Sequence, residues 1–314
     1  MRSDSYTFKS DDDLEIFVYR WLPDGEALRG IVQIAHGMGE HAGRYERLAR
    51  KLTECGYGVY ANDQRGHGRT APSADDLGHM ADQDGWNRAV GDLAAINRTL
   101  AAHHPEVPRV LLGHSMGSLL AQQYLIEHGD TLDAAVLSGS TGDPGPMRRI
   151  GGWIARFERL RLGRRGRSAL LHRLLFGRAN KAFEPARTDF DWLSRDRHEV
   201  AAYIADPLCG FVVTVQSLID MLDALGRIYA PEKLARIPSA LPLLIFSGEE
   251  DPIHEGGRGL EKLVAGYAAA GLENVAQRIY PRGRHEMQNE INRDEVAADL
   301  IAWLGEVLPA PRPR

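Results

Sequence analysis

One serine in this chain is flanked by glycines at two-residue spacing, Gly113-His114-Ser115-Met116-Gly117. A serine hydroxyl is a poor nucleophile at neutral pH. It attacks a carbonyl only when a base lies within hydrogen-bond reach and a third group orients that base. The run Arg109-Val110-Leu111-Leu112 before it is short and aliphatic, and Ser118–Leu125 after it carries helix-compatible apolar spacing. Strand, sharp turn and helix in that order expose the serine Oγ at the apex of the turn. Side chains at 113 and 117 would collide with the neighbouring helix and strand, which accounts for the glycines.

For a nucleophile on such a turn, the acid follows in the chain and the base comes last. Gly248-Glu249-Glu250-Asp251-Pro252 follows an apolar strand ending at Phe246 and makes Asp251 the orienting acid, with Glu249 and Glu250 as alternatives. His285 lies directly after the Val275–Tyr280 strand, where the last catalytic loop belongs. His254 follows Asp251 too closely to face it. His114 precedes the nucleophile and reads as a packed partner of the turn, while His103, His104, His128 and His198 read as surface or helix-end residues. The tetrahedral intermediate needs preorganised donors for its oxyanion. One is the Met116 N–H. The second is the Met38 N–H, in the turn His36-Gly37-Met38-Gly39 after the strand Ile31–Ala35, where Gly37 and Gly39 permit close backbone approach. The plainer alternative is that these glycines only make a tight turn. His36, Gly37, Gly39 and His114 are expected to shape the site.

The elements that must position these groups alternate along the chain. Strand patterns at Ser5–Ser10, Leu14–Trp21, Ile31–Ala35, Tyr57–Ala61, Asp133–Gly139, Pro242–Gly248 and Val275–Tyr280 are interleaved with helical ones at Tyr45–Cys55, Trp86–His103, Leu260–Ala270 and Glu295–Val307. Such alternation predicts an α/β fold with a mostly parallel central sheet and helices on both faces. From Ser140 to about Ser239 the alternation stops, and the sequence is Arg-rich and helical in character. We therefore expect a core of residues 1–139 and 240–314 with a helical cap, or lid, inserted at 140–239. The tail Pro309–Arg314 is expected to fray. The chain has 314 residues and a net charge of −5, with no overall case for nucleic-acid binding. Cys55 and Cys209 make no disulfide framework, and no Cys/His run has zinc-ligand spacing, so neither metal nor cofactor is expected. No apolar leader follows Met1 and no run is long enough to span a bilayer, so a cytoplasmic protein is expected, at most peripheral to a membrane.

Several separated segments together resemble the monoacylglycerol lipase and lysophospholipase-like branch of the α/β-hydrolases, a branch related to serine aminopeptidases. They are His36-Gly37-Met38-Gly39-Glu40-His41 with Arg44-Tyr45, Asp63–Gly68, Gly113–Gly117, Gly248 with Asp251, and His285-Glu286 with Asn289-Glu290. They span the core from about residue 30 to residue 300. The resemblance implies Ser115, Asp251 and His285 as the triad, and Met38 and Met116 as oxyanion donors. It implies that Asp63–Gly68 shapes the site without doing chemistry. Ser118 departs from the glycine usual after the elbow, and its place on the helix predicts little effect. Arg187–Asp196 and Asp206–Phe211 resemble the cap of bacterial lysophospholipase-like proteins.

Arg148–Arg178 holds ten arginines and one acid, Glu158, interleaved with Trp153, Phe157, Leu160, Leu170 and Leu174. Two readings stand. Either the apolar side covers the core and the arginines are solvated, or the segment is an amphipathic surface that meets anionic lipid transiently and admits an acyl chain. The expected activity is serine-dependent hydrolysis of a small-molecule carboxylic ester or lipid. A small-ester carboxylesterase, an aminopeptidase-like hydrolase using cap acids such as Glu184 or Asp206, and a ligand-binding protein on a hydrolase scaffold are the alternatives.

Overall fold

The computed structural model describes residues 1–25 and 27–309, so most of the expected frayed tail lies outside the described residues. In chain order the elements are β1 (Arg2–Lys9), β2 (Glu15–Leu22), β3 (Gly30–Ala35), α1 (Glu46–Glu54), β4 (Tyr57–Asn62), α2 (Gly85–His103), β5 (Arg109–His114), α3 (Met116–His128) and β6 (Ala134–Ser138). There follow α4 (Pro146–Leu162), α5 (Ala169–Phe176), α6 (Arg197–Ala205), α7 (Val215–Ile228) and α8 (Pro231–Leu234), then β7 (Leu243–Gly248), α9 (Arg258–Ala269), β8 (Val275–Tyr280) and α10 (Arg293–Val307).

The eight strands form one sheet in the order β1-β2-β4-β3-β5-β6-β7-β8. β2 runs antiparallel to β1 and β4, and every other pair is parallel. The central strands are apolar runs because both faces are covered. Alternate side chains sort onto those faces. Leu111, Leu137 and Ile245 pack with Trp86, Leu93, Leu120 and Tyr267 of α2, α3 and α9. Val110, Leu112, Val136 and Phe246 pack with Leu48, Leu52, Leu300 and Leu304 of α1 and α10. This is the mostly parallel sheet with helices on both faces anticipated from the alternation, and it is the α/β-hydrolase architecture that the resemblance implies.

The turn between β5 and α3 explains its own glycines. A Cβ on Gly113 would run into the backbone of Gly117 and Ser118 at the start of α3. A Cβ on Gly117 would run into the carbonyls of Ala35 and His36 at the end of β3. The collisions expected from the spacing are therefore with this helix and this strand. All the candidate groups sit beyond carboxyl ends of strands: Met38 after β3, Ser115 after β5, Asp251 after β7 and His285 after β8, where crevices open in sheets of this kind.

Among the described residues no strand lies between β6 and β7. The helical expectation for this insertion fails over 177–196, where only a short turn at Lys181–Phe183 interrupts irregular chain. Pro185 has no N–H to give to a helix, and polar side chains take the backbone groups instead. Asn180 accepts from Trp192 N at 2.8 Å and donates to Thr188 O at 2.7 Å. Asp191 accepts from Arg187 N at 2.7 Å.

Candidate active site

Ser115 occupies φ 51°, ψ −120°, a left-handed conformation that costs free energy in a non-glycine residue and persists only where the surroundings enforce it. Here β5 and α3 enforce it from both sides. Asp251 and His285 meet at 2.9 Å between Oδ2 and Nδ1, both buried. Asp251 also accepts from Ser247 Oγ and from Ile253 N, each at 2.9 Å. Of the alternatives, Glu249 and Glu250 are exposed, and Glu249 takes the Arg282 N–H on the surface. The His254 ring is engaged instead by Gly248 O and Gly257 N. The remaining histidines singled out as surface or helix-end residues, His103, His104, His128 and His198, are exposed or half-buried.

Ser115 and His285 line the same cavity, of about 460 Å³. Among the described residues no hydrogen bond joins Ser115 Oγ to His285. Such contacts are commonly long in unliganded sites and tighten when substrate arrives. The His285 ring is held from three sides. It lies 4.8 Å from the His114 ring and 5.0 Å from the Trp192 ring, centroid to centroid. The His285 backbone N–H donates to Trp192 O at 3.3 Å, and the next backbone N–H, of Glu286, donates to Leu193 O at 2.8 Å.

Met116 is the first residue of α3, so its N–H is one of the four a helix leaves unpaired. Met38 N–H has no partner among the described residues. Both residues line the cavity. Gly37 N donates to Glu40 Oε1 at 2.6 Å, and a Cβ on Gly37 would crowd Glu40 and Ser115. Gly39 has φ 67°, and its carbonyl accepts from Tyr203 Oη at 2.8 Å and Gly210 N at 2.9 Å. His36 donates from Nδ1 to Gly37 O at 2.8 Å and accepts at Nε2 from Gln64 N at 2.9 Å, so its tautomer is fixed. That bond ties the Asp63–Gly68 loop to the turn that carries His36. His114 Nδ1 lies 3.2 Å from Ser138 Oγ, and its ring packs against the His285 ring.

The spacing assigned no role to a buried ionic network that ties the two halves of the site together. Arg44 Nη1 donates to Glu40 Oε2 and to Glu286 Oε1, and Nη2 to Glu286 Oε2, all at 2.6 Å. Tyr45 Oη donates to Glu40 at 2.9 Å, and the guanidinium lies 4.9 Å from the Tyr203 ring centroid. Glu40 holds the Met38 turn and Glu286 adjoins His285. The visible signal was a pair of charged motifs flanking the two loops. Burial drives the Glu40 carboxyl upward, but Arg44, His114 and the bonds from Gly37 N–H and Tyr45 together hold the group below its ordinary range.

Burial lowers the His285 pKa, but the Asp251 charge, the bond from Asp251, and Glu286 and Glu40 together lift it above its ordinary 6.5. Burial and the neighbouring His285 push His114 down to about 4, so it stays neutral. A ring that must accept a proton works only when deprotonated. The acid limb of kcat/KM should therefore be centred above the ordinary imidazole value, and Glu286→Gln should move it downward. A limb at or below that value, measured on a soluble ester across the neutral range, would contradict the assignment.

His41 Nε2, Asp206 and Cys209 also come together among the described residues. His41 Nδ1 accepts from Gly43 N, so Nε2 carries the proton and donates to Asp206 Oδ2 at 3.0 Å. Burial pushes the Cys209 thiol up. Geometry and protonation describe a hydrogen-bonded strut here. The cavity walls are apolar, with Leu175, Phe176, Phe190, Trp192, Phe211, Val213, Leu218 and Met221 rising from the insertion. Of the insertion's acids only Asp189 reaches the lining, and neither Glu184 nor Asp206 does.

The family described as serine aminopeptidase, S33, matches residues 26–292 of the chain. A monoacylglycerol lipase from Mycolicibacterium smegmatis is 31% identical over 288 residues, covering 90% of each chain. A monoglyceride lipase from Rattus norvegicus is 28% identical over 93% of this chain and 88% of its own. A highly thermostable carboxyl esterase from Bacillus coagulans, solved in complex with glycerol, superposes with a TM-score of 0.89 at 27% identity, over 98% of this chain and 100% of the other.

Proposed function

The chain belongs to the serine aminopeptidase S33 family of α/β-hydrolases, and from that membership we propose that it cleaves the carboxylic ester of a single-chain lipid, a monoacylglycerol or a lysophospholipid. His285 takes the Ser115 proton, Ser115 attacks the ester carbonyl, and Asp251 holds the imidazolium that forms. The Met38 and Met116 N–H groups receive the oxyanion. His285 returns the proton to the leaving alcohol, and water activated by His285 then releases the fatty acid from the acyl-enzyme. One observation carries this reading: an apolar cavity of about 460 Å³, a volume that suits a small lipid, ends on Ser115 beside the Asp251–His285 pair. The poverty of the lining in insertion acids weighs against an aminopeptidase, which needs a partner for a substrate ammonium.

In this reading residues 140–239 act as a cap over the core of residues 1–139 and 240–314. Rates on p-nitrophenyl esters of increasing acyl length, then on monoacylglycerol and lysophosphatidylcholine, test it. Turnover should rise with chain length. Turnover confined to short chains would make the protein a small-ester carboxylesterase, the reading favoured by its superposition on the Bacillus coagulans enzyme.

No helix among the described residues is long and apolar enough to cross a membrane. Contact with lipid would instead run through α4 and α5. Met147, Ile150, Trp153, Phe157 and Leu160 share one face of α4, and that face points outward, with Trp153 77% and Leu160 85% exposed. The inner side of α4 is Gly152, Ala155 and Glu158. Leu170 and Leu174 of α5 continue the exposed surface, and Leu175 beside them lines the cavity. Arg156, Arg161 and Arg165 are paired with acids, while Arg149, Arg164, Arg173 and Arg178 have no acidic partner among the described residues. An apolar face ringed by free cations fits an anionic bilayer surface. Trp153→Ser with Phe157→Ser should weaken co-sedimentation with phosphatidylglycerol vesicles and slow hydrolysis of vesicle-borne monoacylglycerol. Hydrolysis of a soluble short-chain ester should be unchanged. Equal vesicle binding by wild type and variant would remove this surface from the function.

A further inference from the structure

Ser118 stands on the third residue of α3 and is wholly buried. Its Oγ lies 2.6 Å from the Ser115 carbonyl oxygen and 2.8 Å from Ser140 Oγ. Ser140 follows β6 and is also buried, and its Oγ lies 3.0 Å from Gln122 Nε2, one helical turn further along α3. Gln122 Nε2 makes a second, longer bond to Thr141 O at 3.3 Å.

Counting protons fixes the direction of the chain. A hydroxyl has one proton to give, and a carbonyl oxygen can only accept. The Ser118 proton therefore goes to the Ser115 carbonyl, the Ser140 proton goes to Ser118 Oγ, and the Gln122 amide donates to Ser140 Oγ. Each hydroxyl gives one bond and takes one, and every donor is directed toward the nucleophile's own peptide group. The Ser115 carbonyl also accepts from Ser118 N at 2.8 Å and Leu119 N at 3.2 Å, as the first turn of a helix requires.

That carbonyl shares a rigid peptide plane with the Met116 N–H. Fixing the direction of the C=O therefore fixes the opposite direction of the N–H. Ser115 is held at φ 51°, ψ −120°, and rotation of this peptide changes that ψ and so moves the strained turn away from its present conformation. A bond to the carbonyl opposes that rotation. It also polarises the amide, and bonds arranged in series strengthen one another. A donor fixed and polarised before substrate arrives stabilises the oxyanion without reorganising during the reaction.

We propose that Ser118, supplied by Ser140 and Gln122, is a positioning residue that orients and polarises the Met116 N–H for the oxyanion of the transition state. This rests on the reading of Met116 as an oxyanion donor. Ser118 touches no reacting atom. Its effect is confined to the state in which the oxyanion exists, so it should alter kcat and leave ground-state binding alone.

The test uses the full chain with Ser118→Ala and, as a second route to the same defect, Ser140→Ala, which removes the donor to Ser118. A long-chain alkyl trifluoromethyl ketone, whose adduct with Ser115 carries an oxyanion, is compared with an alkyl glycerol ether, which binds without forming one. Ser118→Ala should lower kcat about three- to tenfold, the worth of one hydrogen bond, with KM unchanged. Affinity for the ketone should fall by the same factor and affinity for the ether should hold. Ser140→Ala should shift the same two quantities in the same direction by less. Unchanged kcat and ketone affinity in folded Ser118→Ala and Ser140→Ala proteins would overturn the inference. Parallel losses in kcat, KM and ether affinity would also overturn it, as general damage to the site. Turnover that survives Ser115→Ala would instead defeat the underlying site reading, so the two failures are separable.

Discussion

Replacing Ser115 by alanine should leave a folded protein with almost no turnover, a fall on the order of 10⁴-fold or more in kcat. The fold should tolerate the change because, among the described residues, the Ser115 side chain makes no hydrogen bond within the protein. The backbone strain at φ 51° is set by β5 and α3 and is the same for alanine as for serine. Substrate should still enter, since the cavity walls are untouched. His285→Ala should fall as far as Ser115→Ala, and the double variant should be no worse than either. Residues that act as one unit fail together, so the second deletion removes nothing that the first left working. If the two losses instead multiplied, Ser115 and His285 would be acting separately. A purified Ser115→Ala protein that kept its turnover, or a wild-type protein whose Ser115 resisted a fluorophosphonate, would sink the serine mechanism.

The parts of this protein legible from sequence are those fixed by short-range sterics and by period. The buried strands read as apolar runs because both faces are covered, and the turn at Ser115 reads from two glycines whose neighbours leave no room for a Cβ. The places of Ser115, Asp251 and His285 beyond β5, β7 and β8 followed from the order of strands. What stayed illegible depends on direction or on long separation. The spacing of Met147, Ile150, Trp153, Phe157 and Leu160 gives α4 an apolar face, but periodicity cannot say which way a face points, and this one points outward. Ser118 was expected to matter little because it lies on a helix. Its consequence comes from Ser140, a residue 22 positions later that the sheet brings against it. The irregular stretch over 177–196 within the helical insertion is not legible from composition because its backbone bonds are taken by Asn180 and Asp191, side chains whose partners composition cannot assign.

A separation among the longest in the chain hides a buried ionic network. Arg44 reaches Glu286 across 242 positions, and the three charged groups are nearly closed to solvent, with side-chain exposures of 11% for Arg44, 3% for Glu40 and 4% for Glu286. Arg44→Met should destabilise the protein by about 3–5 kcal/mol, because two carboxylates are left buried without their counter-charge. In a melting experiment this is a fall of roughly 10 °C in Tm. The pH dependence gives a second signature. In the wild type Arg44 holds the folded-state Glu40 pKa below its unfolded value, so that contribution is present above the carboxylate range and lost as pH falls. In the variant burial is no longer opposed by Arg44, so the Glu40 pKa rises. Protonating Glu40 then costs the variant less stability than it costs the wild type, so the gap between the two proteins should narrow on acidification. Adding Glu40→Gln and Glu286→Gln to Arg44→Met should recover most of the stability, since the buried charges are gone. Turnover should not return with it. The Met38 turn is held through Glu40 and the His285 loop through Glu286, and an uncharged trio cannot pull both onto one guanidinium. A Tm for Arg44→Met within a degree or two of wild type would show that the network contributes little to the fold. Full activity in the triple variant would show that it does not position the site.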